Sequence, residues 1–564
     1  MTPSEAAPQR SSLRHSRLAR PDVWRIGVVA TALLLALPVI VVFSFVFYPA
    51  GDVWRHLAQT VLADYVLNSV ILMVGVAAGT LIMGITAAWL TSMCEFPGRR
   101  IFEWALLLPM AVPAYIIAYT YTGMLGFEGP IQEALREAFG WGYGDYWFPE
   151  IRSLGGAIAM LSLVLYPYVY LLARAGFLEQ SVCVLEVGRT LGLGPWASFF
   201  RVALPLARPA IITGLSLALM ETLADYGTVQ YFGVSTFTTG IFRTWFGLGD
   251  SAAAAQLSAL LMGFVFLLIV LERWSRRRAR FHHTSTRYLQ LPRYRLRGTK
   301  RVLAIIACLL PLLLGFGVPA GQLAVWAWQT APHMVNTDFI RLTTNSLMLA
   351  SLAALIAVGL SLLMGYGKRL RPTPLVIASV RIAAMGYAVP GTVIAVGVML
   401  PFAWMDNTVD TWMRDQFGIS TGLLLSGTLV ALLFAYTVRF LAVSIQTVEA
   451  GLGKIRPTMD DAARSLGLAP RHVLRKIHMP IMRGTLLTAV LLVFVDVLKE
   501  LPATLILRPF NFNTLAVRTF ELASDERLAD ASTAALAIVV AGIIPVIILS
   551  RSISRSRPGH DHAA

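Results

Sequence analysis

A chain of 564 residues that is 56% hydrophobic and only 14% charged carries too little charge for a soluble globular protein, where about a quarter is usual. The mean hydropathy of +0.67 places its bulk in a membrane. Its net charge of +16 lies in short patches beside apolar runs, a pattern of membrane topology that argues against nucleic acid as a partner, and Cys94, Cys183 and Cys308 share no metal-ligand or disulfide spacing.

A basic N-terminus, 1–25, leads into an uncharged run of 22 residues from Ile26 to Phe47. The core of a cleaved signal peptide is about 7–15 residues, so this run reads as a retained span. Twelve spans are predicted, at 26–48, 66–93, 102–123, 154–177, 208–230, 253–272, 302–326, 343–367, 374–402, 421–445, 484–507 and 530–550. Pro113, Pro167, Pro319 and Pro390 interrupt some of them, which spanning helices tolerate where neighbours re-satisfy the backbone. Basic residues gather at Arg10, Arg14, Arg17, Arg20 and Arg25, at Arg99 and Arg100, at Lys368, Arg369 and Arg371, and at Arg551, Arg555 and Arg557. The stretch 273–301 holds eleven Lys or Arg and no acid, whereas 124–152 holds five acids against two Arg. With twelve spans all the basic patches fall on one side, which makes that side, and both termini, cytoplasmic. The expected layout is a first repeat over 26–272, a basic cytoplasmic linker over 273–301, a second repeat over 302–550 and a tail over 551–564.

The two halves are copies of one unit. Asn68-Ser69 recurs as Asn345-Ser346 and Pro113 as Pro390, at a shift of 277 residues. Further on the shift is 275, relating Gly192 to Gly467, Pro205 to Pro480, Thr239 to Thr514 and Arg243 to Arg518. An even number of spans per copy gives parallel repeats, with the transport path expected between them.

Between the fourth and fifth spans of each copy lies a polar stretch, 180–209 and 455–483. It reads Glu186-Val187-Gly188, Gly192, Val202 and Pro205 in the first copy, and Asp461-Ala462-Ala463, Gly467, Ile477 and Pro480 in the second. The internal distances match: six residues from acid to Gly, ten to the β-branched residue, three to Pro. A short helix with Leu185, Val187 and Leu191, or Met459, Ala463 and Leu466, on its apolar face stops at the Gly. A second short helix carries Trp196, Phe199, Phe200 and Val202, or Val473, Leu474 and Ile477. The Pro then sits in the first turn of the next span, where its missing donor costs little. The result is a rigid elbow, one per copy, able to dock in a partner's groove and pass its movement to the membrane helices.

Acids lie inside two spans: Glu221 and Asp225 in the fifth, Asp496 and Glu500 in the eleventh, again at a shift of 275. Each pair is i, i+4 and shares one helix face. Exposed to lipid the four would cost roughly 10 kcal/mol, so they are expected to face the interior or water. At 1.5 Å per residue Glu221 lies about 24 Å and Asp225 about 30 Å from Pro205, near the far mouth. An acidic mouth suits a cation. Lys499 dilutes the charge in the second copy, and Arg243 and Arg518 are the alternative partners for the acids.

The elbow spacing resembles the EAA motif of ABC importer permeases, E-A-A-x3-G-x9-I-x-L-P, with Val187-Gly188, Val202, Asp461 and Met479 as departures. The resemblance implies an all-α integral membrane protein of twelve transmembrane helices, two parallel six-helix repeats of the type I ABC importer class. It also implies that Glu186, Gly192, Pro205, Asp461, Gly467 and Pro480 couple the chain to two copies of an ABC ATPase subunit. No G-x-x-x-x-G-K-[ST] occurs in the chain, so ATP belongs to that separate subunit, no cofactor is expected on this one, and the chain is not itself an enzyme. The run Glu221-Thr222-Leu223-Ala224-Asp225-Tyr226-Gly227-Thr228-Val229, with Phe237-Thr238-Thr239-Gly240-Ile241 after it, is similar to ferric iron permeases. So are Lys499-Glu500-Leu501-Pro502-Ala503-Thr504 and Asn511-Phe512-Asn513-Thr514-Leu515-Ala516. This implies a bacterial inner membrane protein supplied with Fe(III) by a periplasmic substrate-binding protein. Glu221, Asp225, Tyr226, Asp496 and Glu500 are then expected to line the path, since oxygen ligands suit a hard cation. Thiamine, polyamine and phosphonate permeases share the architecture, and an ion-coupled carrier is the alternative of another class.

Overall fold

The computed structural model describes residues 23–49, 51–142, 144–178, 195–277 and 293–555. Among the described residues, ten unbroken helices are long and apolar enough to cross a membrane, and two bent pairs bring the number to twelve when each is taken as one span. Helices close every backbone hydrogen bond within one segment, as hydrocarbon demands. The principal ones are α1 (Val23–Ser44), α2 (Leu62–Met93), α3 (Ala114–Leu125), α4 (Leu154–Leu178), α5 (Leu204–Ala224) and α6 (Ser251–Arg277) in the first repeat. The second repeat supplies α7 (Thr299–Met334), α8 (Thr337–Leu370), α9 (Gly391–Phe417), α10 (Leu429–Gly453), α11 (Arg483–Leu498) and α12 (Leu528–Arg555). Cys94–Glu95 and Tyr294–Arg295 form a two-residue parallel pair beside them.

Prolines decide where the spans break. The run 102–123 is not one straight helix: Arg99–Ala111 and the limb that begins with α3 meet at 89°. The run 374–402 breaks in the same way, Pro374–Ala383 and a turn at Gly386–Ala388 preceding α9. In both cases the residue before the proline is extended, Val112 at ψ 117° and Val389 at ψ 123°, because the proline ring excludes the helical region there. A π turn lies immediately before Leu204-Pro205, Met479-Pro480 and Val318-Pro319. Proline has no N–H for the carbonyl four residues back, and the wider turn absorbs the lost bond.

The fifth and eleventh spans end earlier than the predicted 208–230 and 484–507. The helices stop at Ala224 and Leu498, and short helices Gly227–Tyr231 and Pro502–Leu507 follow. The chain then returns through Phe237–Phe242 and Leu515–Ser524 to the last span of each repeat. The repeated Asn-Ser pair pins this return. Asn68 donates to the Ser235 carbonyl at 2.9 Å and Asn345 to that of Asn513 at 3.3 Å, while the Leu515 N–H donates to Ser346 Oγ at 2.8 Å.

The first span of each repeat packs on the other repeat. Trp24 of α1 meets the Tyr366 ring edge-on at 5.2 Å, and Pro38 lies against Gly397 of α9. Reciprocally, Gly315 of α7 lies against Leu163 and Pro109, and Tyr121 Oη donates to the Leu314 carbonyl at 2.7 Å. The apolar core accordingly draws on both halves, and the halves hold one another on both flanks of the seam between them.

Candidate functional site

The second elbow is built on a buried ion network. Its first helix, Pro457–Ser465, stops at Gly467, whose φ of +76° is the left-handed cap that a side chain resists. The motif acid Asp461 is exposed and stands 3.7 Å from Arg464. Its neighbour Asp460 is the buried one. Arg369 Nε donates to Oδ2 of Asp460 at 2.7 Å, and His478 Nε2 lies 2.6 Å from Oδ1. Arg369 also donates to the Leu452 and Ile455 carbonyls, at 2.5 and 2.8 Å, and Tyr366 Oη to that of Pro470 at 3.1 Å. Burial pushes the Asp460 carboxyl up, but Arg369 and His478 outweigh it and hold it below the usual range. Arg369, which the sequence offers as a topology marker, is thus a structural residue.

Of the three residues predicted to face inward, only Ala463 does. Met459 is 41% and Leu466 81% exposed, because Asp460 has taken the inward face and turned them out. The elbow therefore presents Met459, Asp461 and Leu466 to its surroundings, with Pro480 exposed at the end of the next limb. That limb, Pro470–Ile481, meets α11 at 81°. In the first copy Glu186 and Gly192 lie outside the described residues. Phe199 packs on Trp89 at 4.8 Å between ring centroids, Trp89 on Phe177 at 5.5 Å, and Pro205 is exposed in the first turn of α5.

The acids of the spans divide by task. Asp225 is turned back to cap the short helix after it, accepting from the Val229 N–H at 3.1 Å and Thr228 Oγ1 at 3.0 Å. Glu500 does the same with one oxygen, Oε1, accepting from the Ala503 N–H at 2.9 Å. These caps explain the early helix ends. Tyr226 is buried, stacked on Phe242 at 3.7 Å. Asp496 pairs with Lys499 at 2.9 Å, so Lys499 serves Asp496 rather than Glu500. Neither Arg243 nor Arg518 reaches these acids: Arg243 donates to Ser235 Oγ, and Arg518 stands 3.9 Å from Glu521.

The partner is Arg439, in the middle of α10. Its Nη2 lies 3.8 Å from Glu221 Oε2 and its Nε 3.7 Å from Glu500 Oε2, so one guanidinium faces carboxylates of both halves. Tyr168 of α4 and Tyr387 before α9 bring their hydroxyls to 3.3 Å across the same seam, within electrostatic reach of Glu221 and Asp496. Sequence reasoning missed Arg439, Tyr168 and Tyr387. Arg439 left a signal: it is the only charge between Leu429 and Ile445, and a lone intramembrane arginine marks a functional site by default. The tyrosines left none, being amphipathic residues in apolar runs. Among the described residues, no three His, Cys, Asp or Glu converge as a ready metal cage.

Residues 80–281 match the family model described as binding-protein-dependent transport system inner membrane component. A probable sulfate transport system permease protein, cysT of Chlorokybus atmophyticus, is 31% identical over 225 residues, which cover 39% of this chain and 74% of that protein. The chain belongs to this family of transport components. As a member it is a multi-pass inner membrane subunit of a binding-protein-dependent ABC importer, a transport protein rather than an enzyme. Two longer matches run through both halves. The Fe(3+)-transport system permease protein FbpB 2 of Haemophilus influenzae is 26% identical over 546 residues, covering 94% of this chain and 99% of the relative. The ferric transport system permease protein FbpB of Actinobacillus pleuropneumoniae is 22% identical over 537 residues, covering 87% and 73%.

Proposed function

We propose that the chain carries ferric iron inward, receiving it from a periplasmic binding protein and driven by two copies of an ATP-hydrolysing subunit, one on each elbow. The observation that carries the cargo is the end-to-end match to a fused permease named for Fe(3+), over 94% of this chain, where the sulfate relative matches 39%. The elbows face the cytoplasm, as do both termini, in keeping with the basic patches. Met459, Asp461, Leu466, Gly467 and Pro480 form the docking face of the second elbow, and Glu186, Gly192 and Pro205 serve the first. Exposed apolar side chains beside a charge, on a rigid footing, suit a partner groove. The chain holds no cofactor, and ATP stays on the partner.

The path runs along the seam between the halves, past Glu221, Asp496 and Glu500, while Asp225 and Tyr226 shape its wall. Deleting the gene should abolish uptake of radiolabelled ferric iron supplied with the binding protein. Undiminished uptake would end the cargo reading. Asp461→Lys should release the ATPase subunit during purification and leave the melting temperature of the chain unchanged, because that side chain is exposed. Retention of the subunit in this variant and in Leu466→Asp would exclude the elbow as its dock.

A further inference from the structure

Arg439 is 6% exposed and stands between carboxylates from opposite halves without a hydrogen bond to either, since 3.7 and 3.8 Å are too long. Its Nε and Nη1 have no hydrogen-bond partner at all. A structural arginine inside a protein normally fills its donors with hydrogen bonds, as Arg369 does with one oxygen of Asp460 and two carbonyls. The place is nevertheless made for it. A Cβ on Gly391 would lie 2.7 Å from Arg439 Nη1 and 2.6 Å from Glu500 Oε1, so the backbone at the start of α9 gives way to this pair. The equivalent of Arg439 in the first repeat is Val164, and that of Lys499 is Ala224. The first half therefore brings only acid to the seam, and the counter-charge is an addition of the second.

We propose that Arg439 is a tethered counter-cation filling the transit site for a hard, multivalent cation, and that the cargo passes by exchanging with its guanidinium between Glu221 and Glu500. The proposal rests on the cation-import reading above. With no cargo present, the carboxylates cannot stand uncompensated inside the membrane, and a cation on a side chain answers them without leaking away. Its loose hold keeps the exchange cheap. Attraction to the carboxylates scales with the charge of the incomer, so a trivalent ion displaces the single charge of a guanidinium where sodium or potassium does not. Oxygen donors select hard ions, and the Tyr168 and Tyr387 hydroxyls add two more oxygens on the same seam. No acid triad is preassembled because the guanidinium stands among the acids, and the site completes when it swings out.

The test uses the purified complex with its ATPase subunits and terbium(III), whose luminescence is sensitised by nearby tyrosines. Arg439→Gln should bind terbium(III) at least tenfold more tightly than the unmodified complex. Arg439→Lys, which keeps the charge and guards against a folding defect, should fall between. Adding Glu221→Gln and Glu500→Gln should erase the gain, and excess sodium should leave the signal unchanged. Equal binding by all forms, or a gain that survives loss of both acids, overturns the proposal. Iron uptake is read separately. If the unmodified complex imports no ferric iron, the cargo reading falls and the proposal with it. If Glu221→Gln with Glu500→Gln imports iron at the unmodified rate, the proposal falls and the cargo reading stands.

Discussion

The roots of the two elbows answer one mechanical demand with different chemistry. Trp89 in the first half occupies the place of Tyr366 in the second, Phe199 that of Leu474, and Ala203 that of His478. The first root is a set of rings, Trp89 edge-on to both Phe199 and Phe177. The second is the Arg369–Asp460–His478 network with Tyr366 above it. Both support a π turn followed by proline at the same register. The repeat has thus kept the π turn and the proline after it while exchanging what packs beneath them. Ring packing is sensitive to volume and indifferent to protons, whereas an ion network is the reverse, and each root should fail in its own way.

Asp460→Ala should produce the largest effect. It strands Arg369 and the fully buried His478, and breaking a buried pair by removing one partner costs about 3–5 kcal/mol. Protease nicking near 455–483, together with a lower melting temperature of the complex, checks this. The neighbouring Asp461, one residue away and exposed, should tolerate Ala without a thermal shift. Trp89→Ala should cost less, about 2–3 kcal/mol, since the ring is only half-buried and fully buried aromatics lose about 3–5. Trp89→Phe should keep most of that. If Trp89→Ala loosened the second elbow as much as the first, the two roots would not be independent and the comparison would fail.

The repeat explains what was legible in the sequence and what was not. Span number, elbow spacing and the paired acids all repeat, and so could be read by matching one half against the other. Hydrophobicity alone located the spans but not their breaks, because a run such as 374–402 stays apolar through Pro390. The ends of α5 and α11 were obscured for another reason: the caps that Asp225 and Glu500 place on the following turn leave no mark in the hydrophobic pattern. What breaks the repeat was hardest to read. Arg439, Asp460 and His478 have Val164, Leu185 and Ala203 opposite them, and no internal match draws attention to such positions. Asp460 was further hidden by Asp461, which fills the motif position while its neighbour bears the load.

A smaller effect is expected at Gly467. Its φ of +76° lies where an L side chain costs about 1–2 kcal/mol, so Gly467→Ala should lower the midpoint slightly, and Gly467→Asn, which tolerates this region better, should lower it less. Equal losses would mean that the cap is not held left-handed and that the second elbow has a looser register than its ion network implies.

The smallest effect separates the roots by pH. The folded Asp460 carboxyl is held below its unfolded value, which is about 3.9 for aspartate. A carboxyl depressed on folding binds its proton more weakly in the native state than in the unfolded one. Its contribution is therefore fully present above about pH 4 and fades as pH falls through the lowered folded value. Between pH 7 and 5 this group contributes no slope, and the acid softening that this carboxyl brings to the second elbow should begin only below that window. The rings of Trp89, Phe177 and Phe199 have no proton to gain below that window either, so their packing should give the first elbow no acid limb of its own. Asp460→Asn should lower the neutral-pH midpoint and remove the acid limb of the second elbow together, because both come from one carboxylate between Arg369 and His478. An acid limb that persisted in this variant would have to arise elsewhere, and the second root would then owe its hold to packing, as the first does.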